Sequence, residues 1–177
     1  MKIRDAIESD AQGIMEIYND AVINTTAIWN DVTVDVENRC NWMRERQRLH
    51  YPVLVAVDDG GLVLGYASFG DWRAFDGYRH TVEHSVYVRQ SARRSGTASA
   101  LLTALIARAR VLGKHVMVGA IEAGNLASIG LHLKLGFERA GTMTEVGTKF
   151  GRWLDLAWLQ LKLDDLAPGA RRLESGT

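Results

Sequence analysis

Apolar positions recur along this chain with two different periods, and the switches between them mark its elements. Ser9-Asp10-Ala11-Gln12 has the form of a capping box, and Ile14, Ile17, Tyr18, Ala21 and Val22 follow at helical spacing, which predicts a first helix. A second helix is predicted from about Asp35, with Val36, Cys40 and Met43 on one side. Two β-rich runs, 53–57 and 62–69, flank Asp58-Asp59-Gly60-Gly61, a hairpin signature. Residues 82–88 read as a strand. Residues 97–112 read as a helix whose Leu101, Leu102, Leu105, Ile106, Ala109 and Leu112 form one apolar face, with Gly113 just past its end. A buried strand at 115–121, a helix at 125–135 stopped by Gly136, and strands at 137–143 and 153–161 complete the pattern. With a short strand near Ile3, the order is β-α-α-β-β-β-α-β-α-β-β. That is a mixed sheet covered by helices in one α/β or α+β domain. Residues 1–164 are expected to form the domain, and 165–177 a flexible tail.

Composition narrows the partners. Basic and acidic residues number 21 each among 177, so no whole-molecule field draws the chain to nucleic acid or to an anionic membrane. The single cysteine, Cys40, excludes an intrachain disulfide and a cysteine-rich metal site, and it fits a reducing compartment. The N-terminal residues lack the apolar run of a signal peptide, and no stretch approaches the roughly 18–20 apolar residues of a membrane span. A cytoplasmic protein is expected. His50, His80 and His115 show no metal-ligand spacing, and Ser85 has no nucleophile-elbow context.

The segment Arg93-Arg94-Ser95-Gly96-Thr97-Ala98 joins a predicted strand to a predicted helix. A glycine-bearing turn at that position aims unpaired helix N–H groups, and the positive end of the helix dipole, at an anion. Two arginines add charge-assisted hydrogen bonds suited to phosphate. It is neither a Walker loop nor a dinucleotide fingerprint. The interleaved aromatics and cations of Trp72-Arg73-Ala74-Phe75-Asp76-Gly77-Tyr78-Arg79 suit a small zwitterionic ligand. There Arg73 and Arg79 would hold an α-carboxylate and Phe75 would line the pocket.

Arg-x-x-Gly-x-Ala opening a helix, followed by Asn125-x-x-Ser128-Ile129-x-Leu131-His132-x-x-x-Gly136-Phe137, resembles the GCN5-related N-acetyltransferase (GNAT) superfamily. Ile17–Val22, Thr26–Trp29, Gly65–Arg73, Thr81–Val88 and Lys149–Asp155 are most similar to its phosphinothricin and methionine sulfoximine (methionine sulfone) acetyltransferases. The resemblance implies a twisted, mostly antiparallel sheet whose fourth and fifth strands splay, and acetyl-CoA as cosubstrate with no metal. It implies that Val86, Tyr87 and Val88 pair with the pantetheine arm, that Arg93, Arg94, Ser95, Gly96, Thr97 and Ala98 hold the pyrophosphate, and that Asn125 lies near the thioester. Ser95-Gly96-Thr97-Ala98 departs from the Lys-Gly-Leu-Gly usual in relatives, which removes one cation.

Glu83 and His84 occupy consecutive strand positions, so only one faces the cleft. The family places a proposed base at Glu83. His132 stands where many relatives carry a tyrosine that protonates the departing thiolate, work an imidazole could do. Thr26, Ile28 and Trp29 would close over the acceptor, and Lys149 would add contacts, across a homodimer interface in relatives. The expected acceptor is a small amino acid such as methionine sulfoximine, methionine sulfone or phosphinothricin. A non-catalytic acyl-CoA sensor and a protein or peptide N-acetyltransferase are the alternatives.

Overall fold

A computed structural model describes residues 1–168; of the expected tail, 169–177 lie outside the described residues. The strands are β1 (Lys2–Asp5), β2 (Val53–Val57), β3 (Val63–Asp71), β4 (Thr81–Val88), β5 (Val116–Glu122), β6 (Glu138–Lys149) and β7 (Arg152–Lys162). The helices are α1 (Ala11–Asn24), α2 (Val36–Arg48), α3 (Thr97–Val111) and α4 (Leu126–Lys134). One sheet runs in the order β1-β2-β3-β4-β5-β7-β6, and every neighbouring pair is antiparallel except β4 with β5.

Helices cover both faces of the sheet's first half. β2 is buried along its whole length because Leu54 and Ala56 join the core under α3, while Val53, Val55 and Val57 join the core under α1 and α2. This double coverage explains why its sequence is a continuous apolar run rather than an alternating one. On α3, Leu101, Leu102, Leu105, Ile106 and Ala109 are buried as their spacing predicts. Leu112 is 41% exposed, because it lies past the last helical residue.

Two local expectations are corrected. The N-terminal box does not form at Ser9: a 3-10 turn occupies Glu8–Asp10, and the Asp10 carboxylate accepts from Ile7 N at 2.8 Å and from Arg4 at 2.6 Å. Asp35 does cap α2, accepting from Asn38 N at 2.8 Å. β6 runs six residues beyond the predicted Met143. It passes a bulge at Glu145 (φ 53°) and meets β7 in a two-residue turn, with Phe150 at φ 51° and Gly151 at φ 71°. Two successive positive φ values mark the turn twist that suits a tight hairpin. A glycine answers only one of them, so the sequence signal was weak.

Candidate active site

Strands β4 and β5 pair only through Thr81↔Val116, Val82↔Met117 and Glu83↔Val118. Beyond Glu83, β4 keeps its partner β3 and β5 keeps its partner β7, so the facing edges part and leave a wedge. Among the described residues, backbone donors and acceptors along Ser85–Val88 have no strand partner on the wedge side, which suits a ligand carrying amides. Val86, Tyr87 and Val88, expected beside such an arm, all lie on this free edge.

At the open end of the wedge, a 3-10 turn over Gln90–Ala92 leads into Arg93–Gly96. Arg94 (φ 61°) and Gly96 (φ 84°) both adopt left-handed backbone and swing the chain into α3. The N–H groups of the first turn of α3, which includes Thr97 and Ala98, have no intrahelical partner, the arrangement that favours an anion. Arg93 sits 3.4 Å from Asp20 of α1, a half-exposed pair of little energetic weight, and Arg94 is exposed. The departures at Ser95 and Thr97 compensate one another. Thr97 is buried, 1% exposed, and its hydroxyl lies 2.8 Å from Ser95 Oγ, which itself donates to Ala92 O at 2.7 Å. Ser95→Ala leaves that hydroxyl only the Met1 sulfur at 3.3 Å. The expected cost is about 1 kcal/mol in chemical denaturation, and Ser95→Ala/Thr97→Val should recover most of it, since removing both partners strands neither.

On the other side of the wedge, Asn125 caps α4 with its Oδ1 accepting from Ser128 N at 3.1 Å. The loop from α1 to α2 spans the two lips. Val22 and Ile28 pack with Tyr87 of β4, and Thr26 Oγ1 donates to Glu122 Oε2 at the end of β5, 3.2 Å away. Trp29 donates to Thr26 O at 2.8 Å, and its ring lies on Gly147 of β6 so closely that a Cβ there would collide with it. Trp29 therefore ties this loop, the roof of the wedge, to β6. Lys149 does not face a ligand. Its ammonium is buried and donates to three carbonyls, Val22 O (2.6 Å), Ile28 O (2.5 Å) and Asn30 O (2.9 Å). Burial pushes its pKa down, opposed by attraction from Asp31. The expectation of a substrate-contacting lysine is corrected to a clamp on the roof loop.

Glu83 is half-buried at the apex, on the face under α1 and α2. Burial raises its pKa, and the nearby Arg73 guanidinium opposes that rise. Arg73 also stacks on Trp72, 5.1 Å from the ring centroid. The other two loop residues do not converge with it. Arg79 donates to Asp76 O at 2.8 Å, closing its own turn, and Phe75 is 77% exposed. Arg46, which periodicity did not single out, lies over Gly70, the register partner of Glu83.

His84 points to the opposite face and meets His132, their Nε2 atoms 3.0 Å apart and the rings stacked, with Phe137 edge-on to both. His132 Nδ1 lies 2.7 Å from Ser128 O. A carbonyl only accepts, so Nδ1 carries the proton and Nε2 accepts from His84. Burial and His132 push the His84 pKa down to about 3, and burial lowers that of His132, so both are neutral at pH 7. His132 is 1% exposed with both ring nitrogens engaged. That corrects the expectation of a proton donor open to the wedge. A legible signal existed: His84 alternates with Val82 and Val86, and His132 follows Ile129 at helical spacing, both on apolar faces.

A strand wedge, a helix turn with unpaired N–H groups at its open end and a partly desolvated carboxylate at its apex suit an acyl carrier bearing amides and phosphates. A model of the Acetyltransferase (GNAT) family matches residues 14–137. The chain belongs to this family of acetyl-CoA-dependent N-acetyltransferases. The L-methionine sulfoximine/L-methionine sulfone acetyltransferase of Pseudomonas aeruginosa is 63% identical over 162 residues, covering 92% of this chain and 94% of the relative. The L-amino acid N-acyltransferase of Escherichia coli is 56% identical, covering 93% and 95%. The Salmonella typhimurium protein yncA, solved with its cofactor acetyl-CoA, superposes with a TM-score of 0.92 at 57% identity over 96% of this chain and 98% of that one.

Proposed function

We propose that this chain acetylates the α-amine of a small amino acid, with methionine sulfoximine and methionine sulfone as favoured acceptors and phosphinothricin as a poorer one. The observation that carries the reading is Glu83, partly desolvated at the point where β4 and β5 part, with Arg73 beside it. Acetyl-CoA supplies the acyl group as a thioester, which the free amine attacks directly, releasing CoA as its thiol. The α-ammonium of a free amino acid, protonated at neutral pH, must first lose a proton, and Glu83 takes it directly or through one water. Backbone N–H groups on the free edge of β4 polarise the carbonyl, and Arg93–Ala98 with the first turn of α3 hold the pyrophosphate. Asn125, at the head of α4, borders the thioester. Arg73 holds the acceptor carboxylate, and the roof carrying Thr26 and Trp29 excludes water and fixes the amine.

The proposal includes a homodimer joined through the β6–β7 hairpin, along which Met143, Val146, Phe150 (59%) and Trp153 (65%) are exposed. It also includes a cytoplasmic location, suited to the lone Cys40. No helix among the described residues is long and apolar enough to cross a membrane.

A thiol-release assay with acetyl-CoA over methionine sulfone, methionine sulfoximine, phosphinothricin, the common amino acids and amino-terminal peptides tests the reading. Saturable turnover of the two methionine derivatives is expected. Binding of CoA without turnover of any acceptor, or turnover of peptides alone, would overturn it.

A further inference from the structure

Buried polar atoms without a partner are uncommon in native folds, and each requires an explanation. Two of them belong to residues within two positions of Glu83 or of its register partner Gly70. His84 Nδ1 lies on the α3 side of β4, and Trp72 Nε1 belongs to the loop that follows β3. The Trp72 nitrogen is a donor only, so nothing but an acceptor can satisfy it.

The surroundings of this indole lie on the Glu83 face. Register partners Glu83↔Val118 and Ala120↔Trp158 place Trp158 on that face, since residues two apart along β5 project the same way. The Trp72 ring meets Trp158 edge-on at a centroid distance of 6.4 Å and Tyr78 at 5.0 Å. Arg73, the residue that attracts the Glu83 carboxylate, covers it. Trp158 differs from Trp72 in one respect: its indole donates to Met143 Sδ at 3.1 Å. One indole of the pair is satisfied inside the protein and the other is not.

We infer that the Trp72 indole N–H is a specificity-determining donor for an oxygen on the acceptor's side chain, the sulfonyl or sulfoximine oxygen if the acceptor reading above, on which this rests, is right. With the α-amine at Glu83 and the carboxylate at Arg73, the side chain lies beside the Trp72, Tyr78 and Trp158 rings, and its oxygen reaches the covered Trp72 nitrogen as the exposed loop from Arg73 to Arg79 shifts on binding. A sulfone oxygen is a strong acceptor in that aromatic surround, whereas the thioether sulfur of methionine is a weak one. A site built around an unpaired donor discriminates against the analogue that leaves it unpaired.

The test compares methionine sulfone with methionine, which has the same chain without the oxygens. Trp72→Phe keeps an aromatic ring and removes the donor. Its kcat/KM for the sulfone is expected to fall about tenfold or more, from loss of one buried hydrogen bond, while that for methionine changes less than about twofold. Equal losses on both acceptors would overturn the inference, because they would report loop packing alone. A second measurement uses the unmodified protein labelled with nitrogen-15. The indole N–H cross-peak absent from Trp72→Phe spectra should move on addition of methionine sulfone and stay in place with methionine. An unmoved peak, as expected if the N–H instead faces the Tyr78 or Trp158 ring, would also overturn it. Absence of any turnover by the unmodified enzyme would bring down the acceptor reading itself; turnover of the sulfone with an unmoved peak brings down only the role of Trp72.

Discussion

Glu83→Gln lowers kcat/KM by about 10²–10⁴-fold, the usual worth of a positioned base, and leaves acetyl-CoA affinity unchanged. The amide matches the carboxylate in size and cannot take the proton. The pH profile carries the finer expectation. Burial raises the Glu83 pKa, and Arg73 pulls against that rise. A base must be deprotonated to act, so kcat/KM climbs with pH through this pKa, and the acid limb sits above the ordinary glutamate value of about 4.3. Arg73→Ala removes the attraction, so the limb moves to still higher pH. Added salt narrows the difference between that variant and the parent, because Arg73 is exposed and screened. Rates measured from pH 5 to 9 at saturating acetyl-CoA check each statement. A Glu83→Gln enzyme with full activity across that range would remove Glu83 from the chemistry.

Lys149→Met carries the largest expected effect on stability. The three carbonyls that receive the ammonium come from the end of α1 and from the roof loop, and methionine offers them nothing. Each stranded buried acceptor costs about 1–3 kcal/mol, and Asn30 can recruit water, so a total near ~3 kcal/mol is expected. For a domain of this size that corresponds to a fall in Tm of roughly 6–12 °C. The loop also carries Thr26 and Trp29, so the acceptor KM should rise more than kcat falls. Lys149→Arg should recover little, because a planar fork cannot serve three acceptors converging on one point. Thermal melting and acceptor titrations of both variants test this. A Tm for Lys149→Met within about 2 °C of the parent would rule out the clamp.

The element order and most boundaries were legible in the chain, because helical spacing and turn chemistry act over a few residues. The α3 apolar face, the start of α2 near Asp35 and the glycine of the turn into α3 are all local signals. So was the motif that resembles the GNAT superfamily, which brought Glu83, the 86–88 edge and Arg93–Ala98 into view together. The failures were equally specific. Phe150 in left-handed backbone hid the β6–β7 turn. Lys149 looked like an exposed ligand contact because a lysine gives no hint that three carbonyls await it. His132 looked like a proton donor because its partner, His84, lies 48 residues away.

What the sequence by itself determined is the set of elements, the family to which their motifs belong, and the glycine-bearing turn into α3, whose donors lie within one short segment. What only the tertiary structure decided is which polar groups meet. Lys149 reaches carbonyls 119 to 127 residues distant, and the roof it holds closes on Glu122 from 96 residues away. Buried donors and acceptors must be paired wherever the fold carries them, and chain closure in three dimensions, which no local pattern encodes, selects the partner. The same closure left the Trp72 indole nitrogen without a partner among the described residues, on the sheet face that carries Glu83, a feature that acquires meaning only once its neighbours are known.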